Sequence, residues 1–157
     1  MSHPTIVRAG PQDAPAILEL QRLAYQSEAL LYNDWSIPPL TQTLAQLLDE
    51  FQDSVILKAV SAGTLIGSVR GRAVGGVACI GRLIVAPAAQ RRGIGTALLR
   101  TIESAFPEVR RFELFTGTKS EGNIRLYRSL GYHPTHEREL APNLTIVYLG
   151  KSNDTAA

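Results

Sequence analysis

The chain has 157 residues and a formal net charge of +2; 45% of its residues are hydrophobic and 19% are charged. This length suits one domain with one core, and the composition excludes the disordered and fibrous classes of protein. A net charge this small gives no support to nucleic-acid binding, which requires a clustered basic face.

The first part of the chain predicts one strand followed by two helices. Residues 5–9 are typical of a short strand, and Asp13 is a candidate N-cap for a helix that continues to about Leu31. Pro38 and Pro39 lead into a second helix, whose apolar face extends to Phe51.

The hydrophobic period then changes to one that is typical of strands. Three β-branched runs are separated by SAGT at 61–64 and GG at 75–76, which predict tight turns between antiparallel strands. The remaining predicted elements are a helix from Gly93 to about Ala105, a strand over RRFELFTG, a helix that begins at Ser120 or Asn123 and ends at Gly131, an optional strand, and a last strand over LTIVYLGK.

This order of elements predicts an α/β (α+β) domain in which a mixed sheet carries helices on its faces. We place the single domain at residues 3–151 and expect residues 152–157 to form a disordered polar tail. The one cysteine, Cys79, excludes an internal disulfide and fits a reducing compartment. The sequence shows no apolar signal core and no stretch of transmembrane length, so we expect a cytoplasmic protein without a membrane partner.

The segment AAQRRGIGTALLRTI at 88–102 concentrates positive charge at the start of a helix. The first N–H groups of a helix have no intrahelical partner, and the helix dipole places partial positive charge there. Gly93 and Gly95 have no side chains that would keep a ligand from the backbone, and Arg91 and Arg92 add full positive charges. These features favour the binding of a phosphate group. A plain surface turn with incidental arginines is the alternative. The chain has neither the third glycine of a dinucleotide motif here nor a P-loop.

Two motifs resemble those of the GCN5-related N-acetyltransferase (GNAT) superfamily. QRRGIG at 90–95 resembles its Q/R-x-x-G-x-G/A loop and follows RLIVAP at 82–87, which is similar to its R-L-x-V-x-P segment. NIRLYRSLGY at 123–132 resembles its N-x-x-x-Y-x-x-x-G-[FY] signature. The resemblance implies a GNAT fold, a mostly antiparallel sheet of about six to seven strands with about four helices, splayed between the fourth and fifth strands.

The same resemblance implies acetyl-CoA (coenzyme A) as the cofactor. Backbone amides from Arg91 to Thr96 would hold its pyrophosphate, and the main chain of residues 83–85 would pair with its pantetheine arm. Tyr127 would act as the catalytic acid and protonate the leaving thiolate, whereas a tyrosine packed in the core is the alternative. The implied cofactor-binding set is Leu83, Ile84, Val85, Gln90, Arg91, Arg92, Gly93, Ile94, Gly95, Thr96, Asn123 and Tyr127.

The residue that accepts the proton of the attacking amine is not identified by the motifs. Many members of the family carry a carboxylate near the position of Cys79, which we expect to be a small buried apolar residue rather than a base. The other candidates are Glu28, Asp34 and Glu113, each of which is more typical of a solvated surface carboxylate than of a base. A chain of water molecules, or direct loss of the proton to solvent, is a further alternative.

The irregular stretch SEALLYNDWSIPPL at 27–40 is the candidate acceptor site, because the resemblance implies that this region lines it. Glu28 and Asp34 would attract an amine by charge, and Tyr32 and Trp35 by cation–π contact. The alternative for Trp35 is a hydrophobic plug packed over the sheet.

The leading hypothesis is an N-acetyltransferase that acts on a primary amine of a small molecule or peptide, as a monomer or a homodimer. The alternatives are an acyl-CoA-binding module without turnover, and nucleic-acid binding through Arg91, Arg92, Arg110 and Arg111. The second alternative lacks an aromatic platform or a basic stripe. His3, His133 and His136 have no metal-ligand spacing, so we expect them at the surface and expect no metal.

Overall fold

One mixed sheet organises the computed structural model, which describes residues 4–154. Its strands lie in the order β1-β2-β3-β4-β5-β7-β6, and every neighbouring pair is antiparallel except β4 with β5. The strands are β1 Thr5–Arg8, β2 Val55–Ser61, β3 Thr64–Val74, β4 Val77–Val85, β5 Arg111–Gly117, β6 His133–Ala141 and β7 Leu144–Ser152. The predicted mixed, mostly antiparallel sheet is confirmed.

Each of the two helices predicted before β2 is divided into two pieces. The α-helices of the described chain are α1 Ala14–Ala24, α2 Gln26–Tyr32, α3 Pro38–Thr41, α4 Leu44–Glu50, α5 Ile94–Ser104 and α6 Glu121–Ser129. Asn33 ends α2 in a left-handed conformation, with φ 51°. Thr43 caps α4, because its side chain accepts a hydrogen bond from the Gln46 backbone N–H at 3.2 Å. Within residues 4–154, no helix is long and apolar enough to cross a membrane.

The two predicted hairpin turns are confirmed by backbone geometry. Ala62 and Gly63 have φ values of 51° and 78°, and Gly75 and Gly76 have values of 58° and 80°. Two consecutive residues with positive φ give the turn whose twist matches that of antiparallel strands. The turns place β2, β3 and β4 side by side and bring β4 to the middle of the sheet.

Helices cover the two faces of the sheet over different strands. On one face, α5 buries Leu98, Leu99 and Ile102 in the larger of two apolar clusters. On the other face, α1 and α4 pack against β2 in a smaller cluster that contains Ile56. Its neighbour Leu57 belongs to the larger cluster, because successive residues of a strand point to opposite faces.

The predicted splay lies between β4 and β5. Val77, Ala78 and Cys79 pair in parallel with Arg111, Phe112 and Glu113, and no further pairing joins the two strands along their described residues. The rest of β4 keeps its pairing with β3 on the other side. The strands therefore enclose a cleft that has the free edge of β4 as one wall.

The domain extends two residues into the predicted tail, which begins at residue 152. β7 includes Ser152, and Asn153 is buried, with its Nδ2 donating to the Val109 carbonyl oxygen at 2.7 Å. Residues 152 and 153 thus belong to the domain, because they extend the β5–β7 pairing and close the turn before β5. Residues 155–157 lie outside the described part of the chain.

Candidate active site

A cleft of about 690 Å³ opens where β4 and β5 separate. This volume is in the range of small-molecule sites in proteins. Its walls come from β4, β5, α2 and the starts of α5 and α6. The walls include most of the residues singled out in the sequence: Glu28, Tyr32, Leu83, Ile84, Val85, Gln90, Arg91, Gly93, Ile94, Gly95, Thr96, Asn123 and Tyr127.

Three of the proposed site residues do not line this cleft. Arg92 is exposed and donates from Nη2 to the Ala88 carbonyl oxygen at 3.4 Å. Asp34 accepts hydrogen bonds from the Ser36 hydroxyl and backbone N–H, which hold the pKa of its carboxyl below the usual value. Trp35 is 54% exposed, so the alternative of a hydrophobic plug packed over the sheet is wrong.

The loop before α5 turns its backbone into a concave surface. Arg91 and Gly93 both lie in the left-handed region, with φ values of 65° and 77°. A Cβ at Gly93 would meet no atom within 4 Å, so open space lies in front of this residue. Ile94 is buried and anchors the first turn of α5 in the core. Left-handed residues that precede a helix N-terminus direct amides toward an anion, so this loop fits a phosphate group.

A β-bulge in β4 shapes the wall beside the open edge. Ser68 pairs with Ile84 and Arg70 pairs with Gly81, so two residues of β4, Arg82 and Leu83, lie opposite one residue of β3. Arg82 adopts a φ of 51° at this bulge. Bulges re-aim side chains and occur near active sites. The strand pattern did not predict this one, because nothing in RLIVAP marks an extra residue.

Tyr127 lies on α6, is buried and lines the cleft. The ring contacts Tyr132 edge to face, with 6.3 Å between centroids. Burial, the nearby Tyr25 hydroxyl and the Glu28 charge raise the pKa of Tyr127 well above its ordinary value. The phenol therefore stays protonated at neutral pH, as a proton donor must. One turn earlier, Asn123 donates from Nδ2 to the Thr116 hydroxyl of β5 at 3.3 Å.

A directed chain of hydrogen bonds ends at Glu28. The Lys119 backbone N–H donates to the Tyr32 hydroxyl oxygen at 2.9 Å, and that hydroxyl lies 2.8 Å from Ser120 Oγ. Ser120 Oγ donates to Glu28 Oε2 at 2.7 Å. Because Ser120 has one proton and gives it to the carboxylate, the Tyr32 hydroxyl donates to Ser120. The chain fixes one carboxylate oxygen of Glu28, and within residues 4–154 no hydrogen bond occupies the other.

The Tyr32 ring is accommodated by a residue without a side chain. A Cβ at Gly117, the last residue of β5, would overlap the Tyr32 hydroxyl and ring. Desolvation raises the pKa of Tyr32, so its hydroxyl stays protonated and continues to donate. No local pattern marks Ser120 or Gly117 as a site residue, because both contact Tyr32 or Glu28 of α2 across the fold.

The other candidate bases lie outside the cleft. Cys79 and Glu113 are register partners across β4 and β5, and neither lines the walls. The expectation of a buried Cys79 is wrong, because the residue is exposed. Partial desolvation and the Glu113 charge raise the pKa of its thiol, which remains protonated. Of the three carboxylates considered, Glu28 is the one on the cleft walls.

Tyr25 and Arg82 are wall residues that the sequence analysis did not predict. Burial raises the pKa of Tyr25, and the Arg82 guanidinium, which hydrogen-bonds its hydroxyl, opposes that shift. Beside them, the buried Arg70 donates to Glu50 at 3.1 Å and to Gln42 at 3.2 Å, and also contacts Gln21. In the sequence, the polar side chains Gln21 and Gln42 among the apolar residues of the predicted helices were the feature that could have indicated this network.

The histidines of the described chain lie on β6, away from the cleft. His133 and His136 are exposed, and His136 stacks on Tyr148 with 4.3 Å between ring centroids. His3 is outside the described residues. Across residues 4–154, no group of three or more His, Cys, Asp or Glu side chains is arranged to hold a metal ion.

Solved structures of low sequence identity share the fold. The ribosomal-protein-S18-alanine N-acetyltransferase of Escherichia coli is 18% identical, with a TM-score of 0.81 over 99% of this chain and 97% of its own. The PaiA N-acetyltransferase of Thermoplasma acidophilum, in complex with coenzyme A, is 18% identical, with a TM-score of 0.75 over 96% and 99%. YncA of Salmonella typhimurium, a putative acetyltransferase with acetyl-CoA, is 22% identical, with a TM-score of 0.76 over 99% and 97%.

Sequence comparison supplies the family. No curated protein sequence matches the chain. The model of the acetyltransferase (GNAT) family matches residues 14–132, which is most of the domain and includes the loop before α5 and both motifs. The chain therefore belongs to the acetyltransferase (GNAT) family.

Proposed function

We propose that the protein transfers the acetyl group of acetyl-CoA to a primary amine of a small molecule or peptide. One observation carries the proposal: a single cleft contains an anion-receptive loop, an unpaired strand edge, a protonated tyrosine and a carboxylate. Membership of the acetyltransferase family supports acyl transfer. The coenzyme A and acetyl-CoA in the PaiA and YncA structures support the choice of cosubstrate.

The residues from β4 to α5 fit acetyl-CoA in charge and shape. The amides of the loop around Gly93 would bind the pyrophosphate, and the exposed Arg91 adds positive charge beside them. The unpaired edge of residues 83–85 offers backbone groups to an extended arm that contains amides, like an added strand. Asn123 would contact that arm from α6. Acetyl-CoA would supply an acyl group activated as a thioester.

Glu28 and Tyr127 would move the protons of the reaction. A bond forms between the acceptor nitrogen and the acetyl carbon, and the carbon–sulfur bond breaks. Glu28 would take the proton that the amine loses, and Tyr127 Oη would give a proton to the departing sulfur. Backbone N–H groups near Leu83 would stabilise the negative charge that develops on the acyl oxygen.

The test is acetyl-CoA-dependent thiol release across a panel of amines, with calorimetric titration of CoA on the same preparation. The panel contains polyamines, amino acids, aminoglycosides and short peptides. Release that depends on one amine class supports the proposal and identifies the acceptor class. CoA binding without release from any amine would instead support a binding module without turnover. Absence of CoA binding would contradict both functions.

A further inference from the structure

Arg82 is a cation on the cleft wall that has no ion-pair partner among residues 4–154. It lines the main cleft and also a second recess bordered by α3 and α4. The ion pairs among the described residues do not include it. Its Nε is buried and has no hydrogen-bond acceptor within the described chain. Because an arginine stays charged, Arg82 carries a positive charge that no ion pair within the described residues offsets.

The carboxylate that lines the second recess with Arg82 does not pair with it. The carboxylate of Glu50, across the second recess, is already paired with Arg70 Nη1 at 3.1 Å. Arg70 is also bound by the side-chain amides of Gln21 and Gln42, so this network is satisfied by its own members apart from Arg70 Nε. Arg70 and Glu50 therefore offset each other, whereas Arg82 and Glu28 remain as one positive and one negative side chain on the cleft wall, with no ion pair to either among the described residues.

Arg82 adopts a backbone conformation that is unfavourable for a residue with a side chain. Its φ of 51° lies in the left-handed region, which a residue with a side chain adopts only when the surroundings require it. The bulge at this position places Arg82 on the wall of the cleft that also contains Glu28. The guanidinium also lies against the Tyr25 hydroxyl, whose pKa is affected by the charges of both Arg82 and Glu28. The positive and negative groups of this wall are therefore close to the same tyrosine.

We propose that Arg82 binds the carboxylate of the acceptor, so that the acceptor is a free amino acid or a related small amine bearing a carboxylate. Glu28 would receive the amino group and Arg82 the carboxylate, which matches a zwitterion charge for charge. The inference rests on the proposed acetyltransferase function. It restricts the acceptor from any primary amine to amines that bear a carboxylate. The bond that forms is the nitrogen–acetyl bond described above, and the bond that breaks is the carbon–sulfur bond.

The experiment compares the proteinogenic amino acids with their carboxamides, which keep the amine and remove the negative charge. Thiol release is measured with the wild-type protein, with Arg82→Gln and with Arg100→Gln. Arg100 is exposed on α5 outside the cleft, so its variant is the matched control for loss of an arginine. We expect the wild type to favour a carboxylate over its carboxamide by roughly 10- to 100-fold in kcat/KM, as for one charge-assisted hydrogen-bonded pair.

Arg82→Gln should remove this preference while it keeps activity on the carboxamide, and Arg100→Gln should retain the preference. The anion that Arg82 binds could be the carboxylate of the acceptor or a phosphate of CoA. Titration of CoA distinguishes these two anions. Unchanged CoA affinity in Arg82→Gln supports the acceptor, whereas weaker CoA binding with unchanged carboxylate preference overturns the inference. If Arg82→Gln does not fold, Arg82→Lys should reduce the preference, because it keeps the charge and loses the planar fork.

Failure of the inference and failure of the proposed function give different results. Turnover of amines without a preference for carboxylates overturns the role of Arg82 and leaves the acetyltransferase intact. Absence of turnover with every amine contradicts the proposed function. In that case, the binding of amino acids to the protein–CoA complex is measured by calorimetry. Binding to the wild type that is lost in Arg82→Gln supports the anion site. Absence of binding to the wild type overturns it.

Discussion

Ser120 Oγ donates a hydrogen bond to Glu28 Oε2 at 2.7 Å, although the two residues are 92 positions apart in the chain. The contact joins α2 to the residue that precedes α6, across the open end of the sheet. It fixes the rotamer of the one candidate base that lines the cleft. It also connects α2 to the start of the helix that carries Tyr127, so the two proposed proton-transfer groups have a common support.

Glu28→Gln should lower kcat by about 10²- to 10⁴-fold, as for loss of a general base, while CoA affinity stays unchanged. Glutamine still accepts the Ser120 hydrogen bond, so the chain of hydrogen bonds remains. The matched control is Glu19→Gln on the exposed side of α1, which should act as the wild type. Steady-state thiol release and CoA titration are the measurements. Wild-type kcat in Glu28→Gln would remove this residue from the base role.

Gly93→Asp should abolish CoA binding, because it places a carboxylate where the pyrophosphate is proposed to bind. Gly63 offers a close control: its φ is 78° against 77° for Gly93, and a Cβ at either position meets nothing within 4 Å. Gly63→Asp therefore carries the same backbone strain and charge, but in a hairpin turn outside the cleft. Calorimetry should show CoA binding in the second variant alone. Equal CoA affinity in both folded variants would overturn the assignment of the loop.

Tyr127→Phe should reduce turnover by about 10²-fold and spare CoA affinity, because it removes the proposed proton donor and keeps the buried ring. Tyr148→Phe, on β7 outside the cleft, is the control for loss of a tyrosine hydroxyl. The raised pKa of Tyr127 keeps the acid form present as pH increases. The wild-type rate should therefore not fall between about pH 7 and 9 through ionisation of this group. Full activity of the phenylalanine variant would exclude the acid role.

Gly117→Ala should destabilise the domain by about 1–3 kcal/mol, because the added methyl overlaps the Tyr32 ring. The same substitution in a Tyr32→Ala background should cost much less, which a double-mutant cycle of unfolding free energies measures. Gly81→Ala is the stability control, since a Cβ there meets no atom within 4 Å and its φ is not positive. Equal costs for Gly117→Ala in both backgrounds would show that the Tyr32 contact is not the cause.

Local sequence patterns were sufficient for most of the fold. Alternating β-branched runs located β2, β3 and β4, and the glycines at 63, 75 and 76 located the turns because each has a positive φ. The helical period located α5, and Gly131 marked the end of α6 with a φ of 97°. The divisions of the first two helices were not predicted, because Tyr25 and the pair at 42–43 are not strong helix-breaking residues.

Part of the candidate site also follows from local sequence patterns, and part depends on the tertiary structure. The sequence by itself determined the loop before α5 and the motif of α6, since short-range backbone conformation and helical spacing set both. The tertiary structure decided which residues of the acceptor stretch face the cleft: Glu28 and Tyr32 point inward, whereas the turn at Asn33 leaves Trp35 in solvent. It also decided the place of Arg82, whose bulge depends on the register of β4 against β3. Such contacts depend on how distant segments pack, which no local pattern encodes.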